Sequence, residues 1–212
     1  MYVRTKICGL TTAEDVAESI AAGADALGFV FANGSKRQVS PAQAAQLTRI
    51  IPAFIARVGL FVNEAPETVE RITRDCRLDT LQFHGEESPE YCARFQRIAR
   101  VIKAFRVRDL ESLTLEIAPY SVDSILLDAY VPGQHGGTGA RFDWEVARAI
   151  SRNGTSVILA GGLDPTNVDV AIRQALPFAV DVSSGVEQFP GRKDPIKVRQ
   201  FIAQARKSAS AV

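Results

Sequence analysis

Short runs of apolar and β-branched residues alternate with helical stretches along the whole chain. Thr5–Cys8 reads as a first strand, followed by a helix that opens near Thr12 and ends at Gly23. The second strand is Ala26–Phe31, and Ser40-Pro41 then starts a helix to about Ile51, Ser as cap and Pro in the first turn. Further strands are expected at Arg57–Val62, Thr80–His84, Val101–Phe105, Ser124–Ala129, Ser156–Ala160 and Phe178–Ser183. Their helices open near Pro66, Ser88-Pro89, Asp109, Asp143, Asp164-Pro165 (to about Ala175) and Pro195.

Regular alternation of this kind indicates an α/β protein with a parallel sheet. A doubly wound open sheet carries a dinucleotide fingerprint in its first turn. Here that turn is Cys8-Gly9-Leu10-Thr11, without a GxGxxG. Eight strand–helix units in 212 residues predict instead a closed (β/α)8 (TIM) barrel, short for its class. No linker or shift of composition divides the chain. The expectation is one domain over 1–206 and a frayed tail of small and polar residues over 207–212.

Composition narrows the partners. Lys and Arg number 25 against 24 Asp and Glu, with no basic run or face, so nucleic acid is not expected as the partner. The richest apolar stretch, Ile50 to Ala56, is far shorter than the roughly 20 residues of a membrane span. Three cysteines do not make a disulfide framework, and the N-terminus lacks the features of a signal peptide. A reduced, cytoplasmic protein is expected. Only two histidines, His84 and His135, and no Cys pair at ligand spacing argue against a metal site.

In a barrel of this class the chemistry lies at the C-terminal strand ends. Gly161-Gly162 after the seventh strand, and Asp181 with Ser183-Ser184-Gly185 at the eighth, are candidates for phosphate binding. Either loop alone also reads as an ordinary tight turn. Gly136-Gly137-Thr138-Gly139 is either a closing loop or a plain connection. Cys8 and Asp128 are the candidate acid–base pair. Lys6, two residues before Cys8, faces the same side of its strand, where a cation would favour the thiolate. Asp128 ending an apolar strand is a general acid or a cap or ion pair. Arg37 is a carboxylate or phosphate clamp or a solvated side chain. His84 is an acid–base group or a fixed hydrogen-bond partner. Lys6, Arg37 and His84 are the candidate substrate contacts. Cys76 and Cys92 read as packing. The residues alone indicate proton transfer on a small phosphorylated metabolite with no cofactor.

Seven segments in order resemble the phosphoribosylanthranilate isomerases. They are Lys6-Ile7-Cys8-Gly9-Leu10-Thr11; Gly28–Phe31 with Ser35-Lys36-Arg37; Val58–Asn63; Leu81–Gly85; Leu127-Asp128 with Gly136–Gly139 and Phe142-Asp143-Trp144; Leu159–Leu163 with Pro165, Asn167 and Val168; and Asp181–Glu187 with Pro190-Gly191 and Lys193-Asp194. The resemblance, which runs from Thr5 to about Asp194, implies a (β/α)8 barrel of tryptophan biosynthesis. It implies the Amadori rearrangement of N-(5′-phosphoribosyl)anthranilate to 1-(2-carboxyphenylamino)-1-deoxyribulose 5-phosphate. By the same resemblance Cys8 is the general base, Asp128 the general acid and Arg37 the holder of the anthranilate carboxylate. Gly161, Gly162, Ser183, Ser184 and Gly185 match the phosphate loops. Gln38 departs from the pattern, which often has an aromatic residue there, and puts ring packing in question. A related isomerase of histidine biosynthesis would be expected to carry an aspartate in place of Cys8. A binding protein without activity would not be expected to retain both Cys8 and Asp128. A monomer is expected, with a symmetric dimer as the alternative.

Overall fold

The computed structural model describes residues 2–107, 109–129, 143–152 and 154–209. The order begins β1 (Arg4–Cys8), α1 (Ala13–Ala22), β2 (Ala26–Val30), α2 (Pro41–Arg49), β3 (Ala56–Phe61), α3 (Pro66–Asp75), β4 (Thr80–Phe83) and α4 (Pro89–Phe95). It continues β5 (Arg100–Val107), α5 (Leu110–Ile117), β6 (Ser124–Ala129), α6 (Trp144–Ser151), β7 (Val157–Leu159), α7 (Val168–Ala175) and β8 (Ala179–Val182). A short hairpin, β9 (Glu187–Phe189) and β10 (Arg192–Lys193), precedes α8 (Pro195–Ala209). β1 to β8 close into a parallel barrel in chain order. The seal is β1, where Lys6 stands opposite Ala26 of β2 on one side and Asp181 of β8 on the other.

Alternation along the strands sorts side chains between two compartments. Ile7, Leu27, Leu81, Phe83, Leu127, Leu159 and Val180 join the large core beneath the helices. Ile102, Ala104, Leu126, Ile158, Ala160 and Ala179 form a smaller cluster. They belong to the opposite set of positions, which fills the barrel. Thr12, Ser40, Ser88, Asp109 and Asp143 cap the helices they were expected to open.

Three local features differ from expectation. α7 starts at Val168, not at Asp164-Pro165, because Asp164 and Asn167 close a turn on each other's backbone first. α8 continues through Ala209, into the segment expected to fray, and Ser208 is buried there. Positions 210–212 lie outside the described residues. The hairpin is too short to leave a period in the sequence. Its turn has Pro190 followed by Gly191 at φ +86°, the arrangement of a type II turn. The Gly136–Gly139 segment, His135 and Phe142 also lie outside the described residues.

A buried ion pair ties successive strand-end loops together. Lys103 of β5 is 2% exposed and Glu87 is 5% exposed. Lys103 Nζ donates to Glu87 Oε2 (3.1 Å) and to the Gly85 carbonyl (2.7 Å). Glu87 also accepts the Asn63 and Gly85 N–H groups. At the opposite, N-terminal face lies a cavity of ≈ 590 Å³ bordered by Arg4, Asp25, Phe54 and Phe178. Phe54 is fully exposed there at φ +71°.

Candidate active site

A cavity of ≈ 880 Å³ opens at the C-terminal ends of the strands. Cys8 of β1, Gln82 of β4, Asp128 of β6 and Asp181 of β8 occupy inward positions and line it, with His84 just past β4. Gly161, Gly162, Ser183 and Ser184 form one wall, and Arg37 stands in another. Six strand ends therefore supply the expected groups to one space, although the residues are scattered from 8 to 184 in the chain.

Cys8 is 4% exposed. Burial pushes its thiol above the ordinary value, while the Lys6 charge and hydrogen bond pull it down and the Asp181 charge opposes Lys6. Lys6 is itself buried, and its Nζ donates to Asp181 Oδ1 at 2.9 Å. Burial disfavours the lysine charge, but Asp181 and Cys8 outweigh it and hold Lys6 above its ordinary value. Lys6 does not line the cavity. The geometry puts it under the floor, next to the thiol and Asp181, and not among the ligand contacts expected of it.

Asp128 Oδ1 accepts the N–H of Ala129 at 2.9 Å. Its Oδ2 lies 3.4 Å from His84 Nε2, within ion-pair range but without hydrogen-bond alignment. His84 Nδ1 and Gln82 Nε2 are 3.0 Å apart. With the amide nitrogen donating, Nδ1 is the acceptor and the imidazole proton sits on Nε2, facing Asp128. Gln82 Oε1 is sealed from solvent and has no partner among the described residues. Sequence reasoning passed over Gln82. The available signal was a lone amide in the apolar run Leu81–Phe83, two residues before His84 and so on its side of the strand.

Gly161 has φ +80° and lies against the Ala129 backbone, so a side chain there would collide with β6. Ser183 Oγ is buried, lines the cavity and has no partner among the described residues. An orphaned hydroxyl beside a glycine loop is where an anionic ligand's oxygens would satisfy it. Gly185 does not line the cavity. It is pressed against the Leu163 carbonyl, where a Cβ would stand 1.9 Å from the oxygen, and so packs the two loops together.

Arg37 is not a solvated side chain. Its Nε and Nη2 donate to Glu187 Oε1 and Oε2, each at 2.8 Å. Lys193 Nζ donates to the same Oε1 at 3.0 Å and to the Ser183 carbonyl at 3.1 Å. Burial pushes Glu187 up, but Arg37 and Lys193 outweigh it and hold the carboxyl below its usual range. Glu187 and Lys193 were visible only as part of a motif, since both sit in the hairpin beyond the last barrel strand. Gln38 is exposed and does not line the cavity; its Nε2 donates to Oδ1 of Asn33, which does. Among the described residues no group of three or more His, Cys, Asp or Glu is placed to hold a metal ion.

Known proteins resemble the chain over nearly its whole length. The model of the N-(5′-phosphoribosyl)anthranilate (PRA) isomerase family matches residues 5–204. The chain is 52% identical to the N-(5′-phosphoribosyl)anthranilate isomerase of Trichlorobacter lovleyi over 97% of this chain and 99% of that one. It is 55% identical to the isomerase of Citrifermentans bemidjiense, over 97% and 98%. The crystal structure of phosphoribosylanthranilate isomerase from Thermotoga maritima superposes with a TM-score of 0.89 at 41% identity, over 97% and 99%. A structure of the isomerase with reduced 1-(o-carboxyphenylamino)-1-deoxyribulose 5-phosphate gives 0.86 at 40% identity, over the same shares.

Proposed function

The chain belongs to the N-(5′-phosphoribosyl)anthranilate isomerase family, and from that premise we propose how its cavity carries out the reaction. The reaction is the isomerisation of N-(5′-phosphoribosyl)anthranilate to 1-(2-carboxyphenylamino)-1-deoxyribulose 5-phosphate in tryptophan biosynthesis. The observation that carries the residue roles is that Cys8 and Asp128 line the same cavity from different strands, beside the orphaned Ser183 hydroxyl.

Asp128 delivers a proton to the ring oxygen of the ribose, the C1′–O bond breaks, and the anthranilate nitrogen takes up the charge as an iminium. His84, 3.4 Å from Asp128 and hydrogen-bonded to Gln82, stands beside that carboxyl, which the Ala129 N–H holds. The iminium acidifies the C2′ proton, which the Cys8 thiolate removes to leave an enolamine. Protonation at C1′ and loss of the C2′ hydroxyl proton give the ketone. The substrate nitrogen is the electron sink throughout. Lys6 acts on Cys8 from below and Asp181 from the cavity lining, while Ser183, Ser184, Gly161 and Gly162 receive the phosphate. Arg37 takes the anthranilate carboxylate.

Fresh phosphoribosylanthranilate, followed by loss of its fluorescence without added metal or nucleotide, tests this. The wild-type protein is expected to exceed spontaneous hydrolysis and to give the ribulose phosphate. Cys8→Ala and Asp128→Asn are each expected to lose about 10²–10⁴-fold in kcat with an unchanged circular dichroism spectrum. Near-normal turnover in either variant overturns its assignment.

No helix among the described residues is long and apolar enough to cross a membrane. A cytoplasmic location fits three cysteines that are all free and buried. A T. maritima relative is described as dimeric. Sedimentation equilibrium decides between the monomer expected from the sequence and a dimer.

A further inference from the structure

Arg37 has two faces that can grip a carboxylate side by side, one made by Nε and Nη2 and one by Nη1 and Nη2. Glu187 fills the first, with both distances at 2.8 Å. The second remains: Nη1 has no hydrogen-bond or ion-pair partner among the described residues, and Arg37 borders the cavity. The stem of the arginine is fixed as well. It passes over Gly9, where a Cβ would stand 2.6 Å from Arg37 Cδ and where φ is +78°. The guanidinium is therefore held beside Cys8 by its stem, and its rotation is held by Glu187.

A carboxylate so close would ordinarily cancel the charge that a substrate anion needs. Lys193 prevents this. It is almost wholly buried, bonds to the same Glu187 oxygen, and is tied to the Ser183 carbonyl of the phosphate wall. Arg37 and Lys193 together carry two positive charges against one negative charge on Glu187. Gly191 N–H, 3.3 Å from Glu187 Oε1, adds the hairpin turn to the same anchor.

We propose that Glu187 is a positioning residue that aims the open face of Arg37 at the substrate's aromatic carboxylate, with Lys193 supplying the countercharge that keeps this end of the cavity positive. It deepens the proposed function and rests on the assignment of Arg37 to that carboxylate. The β9–β10 hairpin is then part of the substrate-recognition apparatus, and the Glu187–Lys193 link joins the carboxylate end of the cavity to the phosphate end.

The test uses two ligands: the reduced product analogue, and its counterpart with hydrogen in place of the aromatic carboxylate. Calorimetric affinities are measured for the wild type, Arg37→Ala and Glu187→Gln. Glu187→Gln is expected to weaken the carboxylate-bearing ligand roughly ten- to a hundredfold, the worth of a charge-assisted hydrogen bond, and to leave the other ligand nearly unchanged. In turnover the loss is expected in KM, with kcat little altered. Equal weakening of both ligands by Glu187→Gln overturns the proposal, since the residue would then only hold the loop. Should Arg37→Ala itself fail to discriminate between the ligands, the assignment of Arg37 falls, and the proposal with it. Where Gln at this position does not fold, Glu187→Asp keeps the buried charge but is too short for the two-point grip. It is expected to show the same carboxylate-selective loss.

Discussion

A thiol at the end of a buried strand is a poor base until something helps it ionise, and Cys8 shows both sides of that problem. Burial raises its pKa and Lys6 opposes the rise, with burial the larger effect. kcat/KM is therefore expected to go on increasing with pH above about 8.5, the ordinary cysteine value, as free enzyme acquires the thiolate. Lys6→Met removes the opposing cation and leaves Asp181 unpaired beside the sulfur, and both changes push the alkaline limb higher. Iodoacetamide alkylation of Cys8 as a function of pH checks this; a limb that moves toward acid would refute it. Much of this neighbourhood was legible, because a two-residue spacing puts Lys6 on the side of Cys8 whatever else the fold does. That Lys6 lies beneath the cavity was not legible. Its partner Asp181 is 175 positions away, and no local pattern says which of the two reaches solvent.

At the level of strands, helices and loops, capping chemistry carried the reading. Ser-Pro and Asp signals open helices here for physical reasons that act within four residues, so Ser40, Ser88 and Asp109 were identifiable without coordinates. α7 was misplaced for the same reason: Asp164 makes a turn with Asn167, and a turn uses the same side-chain oxygen as a cap. The hairpin carrying Glu187 and Lys193 left no periodic trace in three- and two-residue strands. The Glu87–Lys103 pair shows how these loops are kept in place. Lys103→Met strands a buried carboxylate that still has Asn63 and Gly85 N–H partners but no countercharge. The expected cost is about 3–5 kcal/mol in urea denaturation. A loss below about 1 kcal/mol would mean that water reaches Glu87 freely.

For the whole molecule, the count of strand–helix units and the missing dinucleotide fingerprint were enough to choose a barrel over an open sheet. The N-terminal cavity with its exposed Phe54 was beyond reach, since exposure of a single aromatic depends on a loop conformation that composition does not encode. Seven of the eight junctions in the barrel join strands that follow one another in the chain; the eighth joins β8 back to β1.

That eighth junction gives catalysis a place in time. The Lys6–Asp181 bond crosses the seam between the first and last strands, directly under the thiol. A nascent chain that has completed seven strands holds Cys8 and Asp128 but has neither the partner of Lys6 nor the Ser183 wall. Turnover is thus an indicator of circular closure and not of collapse or helix content. In refolding from urea, helical ellipticity is expected to return before activity, with activity arriving together with protection of the β1 and β8 amides from hydrogen exchange. Activity preceding that protection would show that the site assembles on an open ring.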